Sequence, residues 1–165
     1  TEGHIMFNPL NLLPANQKAA KAAKAQKAAK SKTRLASGAL RVPTGLYILN
    51  SGIGKIGADE GTAEFLHGMA VTGIPALKDM DKETFAKFVA YSETGIGAAL
   101  LTPFVSNRLA GAALATFGAG LLTMYFGNDA MTEDDGIRPS QEGLPLSKDS
   151  WLVAIGAALM ALPRK

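Results

Sequence analysis

The charges of this chain are segregated along its length, and this constrains the fold more than any other feature. Eight basic residues (Lys18, Lys21, Lys24, Lys27, Lys30, Lys32, Arg34 and Arg41) come first, with no acid among them. The acids gather in residues 59–83 and 129–149, and the apolar stretches between the blocks are rich in Gly, Ala and Leu. A single carboxylate, Glu93, interrupts one of those stretches. Alternation of basic, apolar, acidic and apolar is what a bilayer imposes on a chain that crosses it repeatedly, because Lys and Arg are retained on the cytoplasmic side. The mean hydropathy of +0.12 hides this pattern, since a polar tail and polar loops dilute the apolar segments.

The fold expected is all-α, with spans at about residues 36–56, 85–105, 108–127 and 149–163. Residues 109–127 carry no charge over 19 positions, about 28 Å of helix at ~1.5 Å per residue, and give the strongest membrane signal. In the first span, Arg41 and Pro43 fall near the start, where a snorkelling cation and a helix-opening proline are tolerated. The last span opens on Trp151 and has roughly twelve apolar residues, short for a bilayer. Residues 63–70 suggest a short interfacial or re-entrant helix after the first span, ended by a turn at Gly73-Ile74-Pro75. Residues 128–150 read as a long acidic loop, and a loop of that length is expected to be disordered or functional. Residues 1–5 look like a cloning remnant, 6–34 form a tail, and 35–163 form the membrane domain.

Charge tests this topology. With the tail inside, eleven of the 17 basic residues fall inside, including Arg108 in its short turn, and six fall outside. Twelve of the 14 acids fall outside. Both termini are therefore expected in the cytoplasm. A soluble bundle would need a polar face on residues 109–127, where Thr116 and Thr123 are the only polar side chains.

The tail is a Lys/Ala run. Its lysines (Lys18, Lys21, Lys24, Lys27 and Lys30) recur every third residue and so drift around a helix axis by about 60° per step. A solvated basic helix or a disordered tail is the plain expectation. Attachment to anionic lipid headgroups, at about 1 kcal/mol per basic residue near the surface, is the functional one. A nucleic-acid arm ranks last, because no aromatic residue is interleaved for stacking.

Little catalytic chemistry is written in the residues. No Cys is present, so thiol nucleophiles and thiolate metal sites are excluded, and two His make a histidine-built metal centre improbable. His67 reads as a packing or surface residue. Gly52-Ile53-Gly54-Lys55 lacks the spacing of a phosphate-binding loop. The residue to single out is Glu93, since a carboxylate within a span is costly and faces the bundle interior or a wet cavity. Counted from the outer helix ends, Glu93 and Asn50 fall at similar depth, with Tyr47 one turn further in. A polar cluster of Glu93, Asn50 and Tyr47 is expected, with Lys55 or Tyr125 approaching from above. It serves either to fix helix register or as a proton-accepting or headgroup-binding site. Gly95, Gly97, Gly111, Ala115, Gly118 and Gly120 suit close packing of helices.

In order along the chain, Arg41, Gly45 and Gly54-Lys55, then Gly73-Ile74-Pro75, then Glu93-Thr94-Gly95-Ile96-Gly97, then Arg108, then Lys148-Asp149 form a pattern over residues 35–163. In this order they resemble the DoxX-like family of small bacterial membrane proteins. The Lys/Ala tail and the early end of the last helix depart from the family. The resemblance implies an integral membrane antiparallel four-helix bundle in the bacterial cytoplasmic membrane. It also implies association with membrane redox or respiratory complexes, as a non-catalytic accessory subunit contacting lipid and other membrane subunits. Some relatives look like subunits of thiosulfate:quinone oxidoreductase, so the second expectation is a quinone- or thiosulfate-linked oxidoreductase membrane subunit that uses Glu93, with quinone as the one cofactor to consider. A small-molecule or envelope-lipid transport accessory role is the third expectation.

Overall fold

A computed structural model describes residues 14–163. The expectations for residues 6–13 and for Arg164 and Lys165 lie outside the described residues. Six helices are described: α1 Ala15–Lys55, α2 Glu60–Gly73, α3 Lys82–Leu101, α4 Asn107–Phe126, the short α5 Leu144–Ser147 and α6 Ser150–Ala161. Single turns of 3-10 helix lie at Pro75–Asp79 and Asp129–Met131.

The tail and the first expected span are one helix. Ala and Lys have high helix propensity, and α1 runs unbroken for 41 residues, about 60 Å at ~1.5 Å per residue. Pro43 therefore does not open a helix but lies inside one. It has no amide hydrogen to give the Ala39 carbonyl, and it sits on the exposed side of α1. Capping sets the starts of α2, α3 and α4. Asp59, Asp81 and Ser106 accept from the amides of Thr62, Thr84 and Leu109 at 2.8, 2.8 and 3.2 Å. Each satisfies one of the amide hydrogens a helix N-terminus leaves unpaired.

Helices α1, α3, α4 and α6 form an antiparallel bundle around Ile48, Leu100, Ala110, Leu114, Leu152 and Leu159. The pairs α1–α3 and α4–α6 approach most closely, and glycine permits it. A Cβ on Gly97 would lie 2.5 Å from the Leu49 amide nitrogen, and one on Gly156 2.5 Å from the Gly111 carbonyl oxygen. Gly111, Ala115 and Gly118 also take part in these approaches. Gly95 and Gly120 do not: they face open space, because they lie on the outer sides of α3 and α4. Helix α2 lies across one end, where Ala70, Phe85 and Val89 make a second core with Leu66, Leu77, Phe117 and Met124. The expected turn is present, since α2 ends at Gly73 and Pro75 opens the following 3-10 turn.

The two acidic blocks come to the same end of the bundle. Antiparallel packing brings the α2 region, the start of α3, the end of α4 and residues 128–149 together there. The short α3–α4 turn, with Arg108, lies at the other end beside the basic half of α1. Residues 128–149 are ordered rather than loose. The Tyr125 hydroxyl donates to the Ile137 carbonyl at 2.8 Å, Met131 is buried, and Thr132 bridges Pro139. Gly136 takes a positive φ of 67° in the tip, where a residue with a Cβ would be strained.

Among the described residues, α4 alone is long and apolar enough to cross a membrane by length and composition. Helix α6 has 12 residues, about 18 Å at ~1.5 Å per residue. Helix α3 carries Lys82, Glu83, Lys87 and Glu93.

Candidate functional site

Two polar clusters lie in the bundle. The first is centred on Arg41, which does not snorkel. It is 5% exposed and turns into the α3–α4 turn. Its Nε donates to the Leu100 carbonyl at 2.7 Å. Nη1 donates to the Val105 carbonyl at 2.8 Å and to Asn107 Oδ1 at 2.9 Å. Nη2 donates to the Ala99 and Thr102 carbonyls at 2.8 and 2.7 Å. All five guanidinium N–H bonds are thereby engaged. The last carbonyls of a helix lack intrahelical partners and carry the negative end of its dipole, so a buried cation there is favourable. Ser37 completes the cluster by donating to Asn107 Oδ1 at 2.8 Å. Arg41 thus ties α1 to the end of α3 and the start of α4. Sequence reasoning singled out Arg41 but expected it to reach the interface, and it missed Ser37 and Asn107, because small polar residues near a helix end or turn are ordinary.

The second cluster contains Glu93. It is 5% exposed and accepts from Lys55 Nζ at 2.8 Å. Lys55 also donates to Ser51 Oγ at 2.7 Å, one turn back on α1. Asp149, just outside α6 at its N-terminus, is close enough to feel both charges. The arrangement is two carboxylates facing one ammonium across α1, α3 and the mouth of α6. It can fix helix register by charge pairing.

The structure therefore alters the expected polar cluster. Lys55 does join Glu93, but Asn50 and Tyr47 lie on the outward side of α1, and Tyr47 is 71% exposed. At ~100° per residue, positions 47 and 50 are carried away from the face that holds Ile48, Gly52 and Lys55. Tyr125 is spent on Ile137 instead. Ser51 and Asp149 take the expected places, and Asp149 had entered only through the family pattern. Of that pattern's other members, Gly45 packs on Leu100 and Leu101, while Gly54, Arg108 and Lys148 face outward. His67 is a packing residue: its Nε2 is 2.9 Å from the Leu77 carbonyl oxygen, and its ring meets Phe85 edge-on at 5.7 Å. The tail lysines Lys18, Lys21, Lys24, Lys27 and Lys30 are all exposed along the N-terminal half of α1. Among the described residues, no group of three His, Asp or Glu side chains comes together to hold a metal.

Set against known proteins, the chain matches no family model, no curated protein and no solved structure.

Proposed function

We propose that this chain is a multi-pass bundle of the bacterial cytoplasmic membrane and serves there as a non-catalytic accessory subunit of a redox or respiratory complex. One observation carries the membrane half: large apolar side chains are exposed on all four helices, while several polar ones are buried beside the apolar core. Leu35, Val42, Leu46 and Ile53 of α1, Phe88 and Tyr91 of α3, Leu109 and Phe126 of α4, and Trp151 of α6 are exposed. Phe104, in the α3–α4 turn, is 93% exposed. Meanwhile Ser37, Arg41 and Asn107 are buried and bonded to one another or to backbone, and buried Glu93 is bonded to Lys55. In water an apolar surface spread over four helices would drive aggregation. In lipid it is the solvated surface, and inward polar groups are what the medium demands.

The short α6 fits the same reading, because it carries no polar side chain after Ser150 and mismatch is absorbed by local thinning or by neighbours. The concentration of acids at one bundle end, opposite the basic arm and Arg108, supports a cytoplasmic basic end. The accessory role rests on the use of the polar groups. Arg41 is consumed in joining helices, and Glu93 is held by Lys55 rather than left to exchange a proton with a substrate. The link to a redox or respiratory complex rests on the ordered DoxX-like pattern from Arg41 to Asp149.

Membrane fractionation with a carbonate wash, followed by mild-detergent co-purification, tests both halves. Retention in the washed membrane together with redox subunits is expected. Recovery in the soluble fraction would sink the membrane half, and isolation without any redox partner would sink the accessory role.

A further inference from the structure

We infer that the outward face of α1 around Asn50 is the contact surface for a second copy of this chain, joined by an Asn50–Asn50 hydrogen bond across a two-fold axis along the membrane normal. The inference rests on the membrane reading. At ~100° per residue, Leu46, Tyr47, Asn50, Ile53 and Gly54 lie on the side of α1 turned away from Gly45, Ile48 and Gly52, which pack on α3. All five are exposed. Asn50 sits five residues from Lys55, about 7.5 Å inside that end. Its side-chain amide has two N–H donors and a carbonyl acceptor, and none of them meets a partner within the described chain. The Tyr47 hydroxyl, three residues away on the same face, is equally unpartnered.

Hydrocarbon offers neither group a hydrogen bond, so polar side chains on membrane helices seek one across a helix interface. The occupant follows from symmetry. Copies of one chain insert with the same orientation and depth, so Asn50 of one faces Asn50 of the other. An amide donates and accepts, and so complements itself. Gly54 adds room on this face, since a Cβ there would meet nothing, and small residues let helix backbones approach. The basic arms do not oppose pairing. Lys30 lies about 20 residues, or roughly 30 Å, along the axis from Asn50. At crossing angles of about 20–40° the arms diverge beyond the ~8 Å over which charges interact strongly in physiological salt.

The absence of Cys makes the test direct. Single cysteines replace Leu46, Tyr47, Asn50, Ile53 and Gly54 in turn, with Gly120→Cys on the outer side of α4 as control. Native membranes are then oxidised with copper–phenanthroline. Disulfide dimers are expected at positions 46, 47, 53 and 54, which keep Asn50, and not at 120, and Asn50→Cys, which loses the amide, should cross-link less than these. Asn50→Leu should weaken dimerisation in mild detergent roughly tenfold, and Asn50→Gln should retain most of it. No disulfide dimer at any α1 position, or a dimer indifferent to Asn50→Leu, overturns the inference. Capture of a different subunit at position 50 also overturns it. If the chain stays in carbonate-washed membranes in those cases, only the pairing fails. If it washes into the soluble fraction, the membrane reading fails as well.

Discussion

Arg41 concentrates more of the bundle's polar bonding than any other residue. Its planar fork of five donors meets four carbonyls and one amide oxygen. Lys carries three donors at a single point and cannot reproduce that fork. Arg41→Lys is therefore expected to lower the detergent melting temperature markedly, and Arg41→Ala more so. Each carbonyl left buried and unbonded costs about 1–3 kcal/mol. A melt of Arg41→Lys indistinguishable from wild type would show that the fork is dispensable. At the second cluster, breaking the Lys55–Glu93 pair from one side leaves a charge with no opposite partner. Glu93→Gln or Lys55→Met alone should destabilise more than the double replacement, with a coupling of roughly 0.5–3 kcal/mol in a double-mutant cycle. Simple additivity would refute the pairing.

At the scale of elements, α1 against α3 and α4 against α6 are held by positions without side chains. Gly97→Ala would put a methyl 2.5 Å from the Leu49 amide nitrogen, which cannot yield without moving α1. Gly95→Ala, two residues away, meets nothing and removes the entropic cost of glycine in a helix. The first should lower the melting temperature by overpacking, at about 1–3 kcal/mol. The second should leave it unchanged or raise it by up to roughly 1 kcal/mol of stability. Equal effects would mean that α1 does not approach α3 this closely. The contrast also shows what was legible. The glycine content of the apolar stretches announced close packing, but which glycines face inward depends on the rotation of each helix, which composition does not specify. The three helix-capping side chains, in contrast, stand in the sequence just ahead of the helices they start.

For the whole molecule, the continuity of α1 changes the expected role of the tail. If the hydrocarbon begins near residue 36, a straight helix holds Arg34, Lys32 and Lys30 within about 9 Å of it and carries Lys18 about 27 Å away. Only charges within about a Debye length, ~8 Å, feel the headgroups strongly. Neutralising Lys30, Lys32 and Arg34 should weaken binding of the reconstituted chain to anionic vesicles by about 1 kcal/mol per charge. Neutralising Lys18, Lys21 and Lys24 should change it little. The reverse order in vesicle flotation would show that the arm lies flat on the surface.

The sequence by itself determined that the chain is helical, where its charges change sign, and that Glu93 needs a partner. Propensity, hydropathy and the cost of an isolated carboxylate are local quantities, read from neighbouring residues. Only the tertiary structure decided that Lys55 supplies that partner, with Asp149 nearby, while Asn50 and Tyr47 turn outward. It alone showed that Arg41 joins three helices instead of reaching for the interface. Those outcomes depend on the rotation and axial position of each helix against its neighbours. These are set jointly by glycines and core side chains more than 40 residues apart, such as Gly52 with Thr94 and Gly97 with Leu49, and no stretch of sequence encodes them alone.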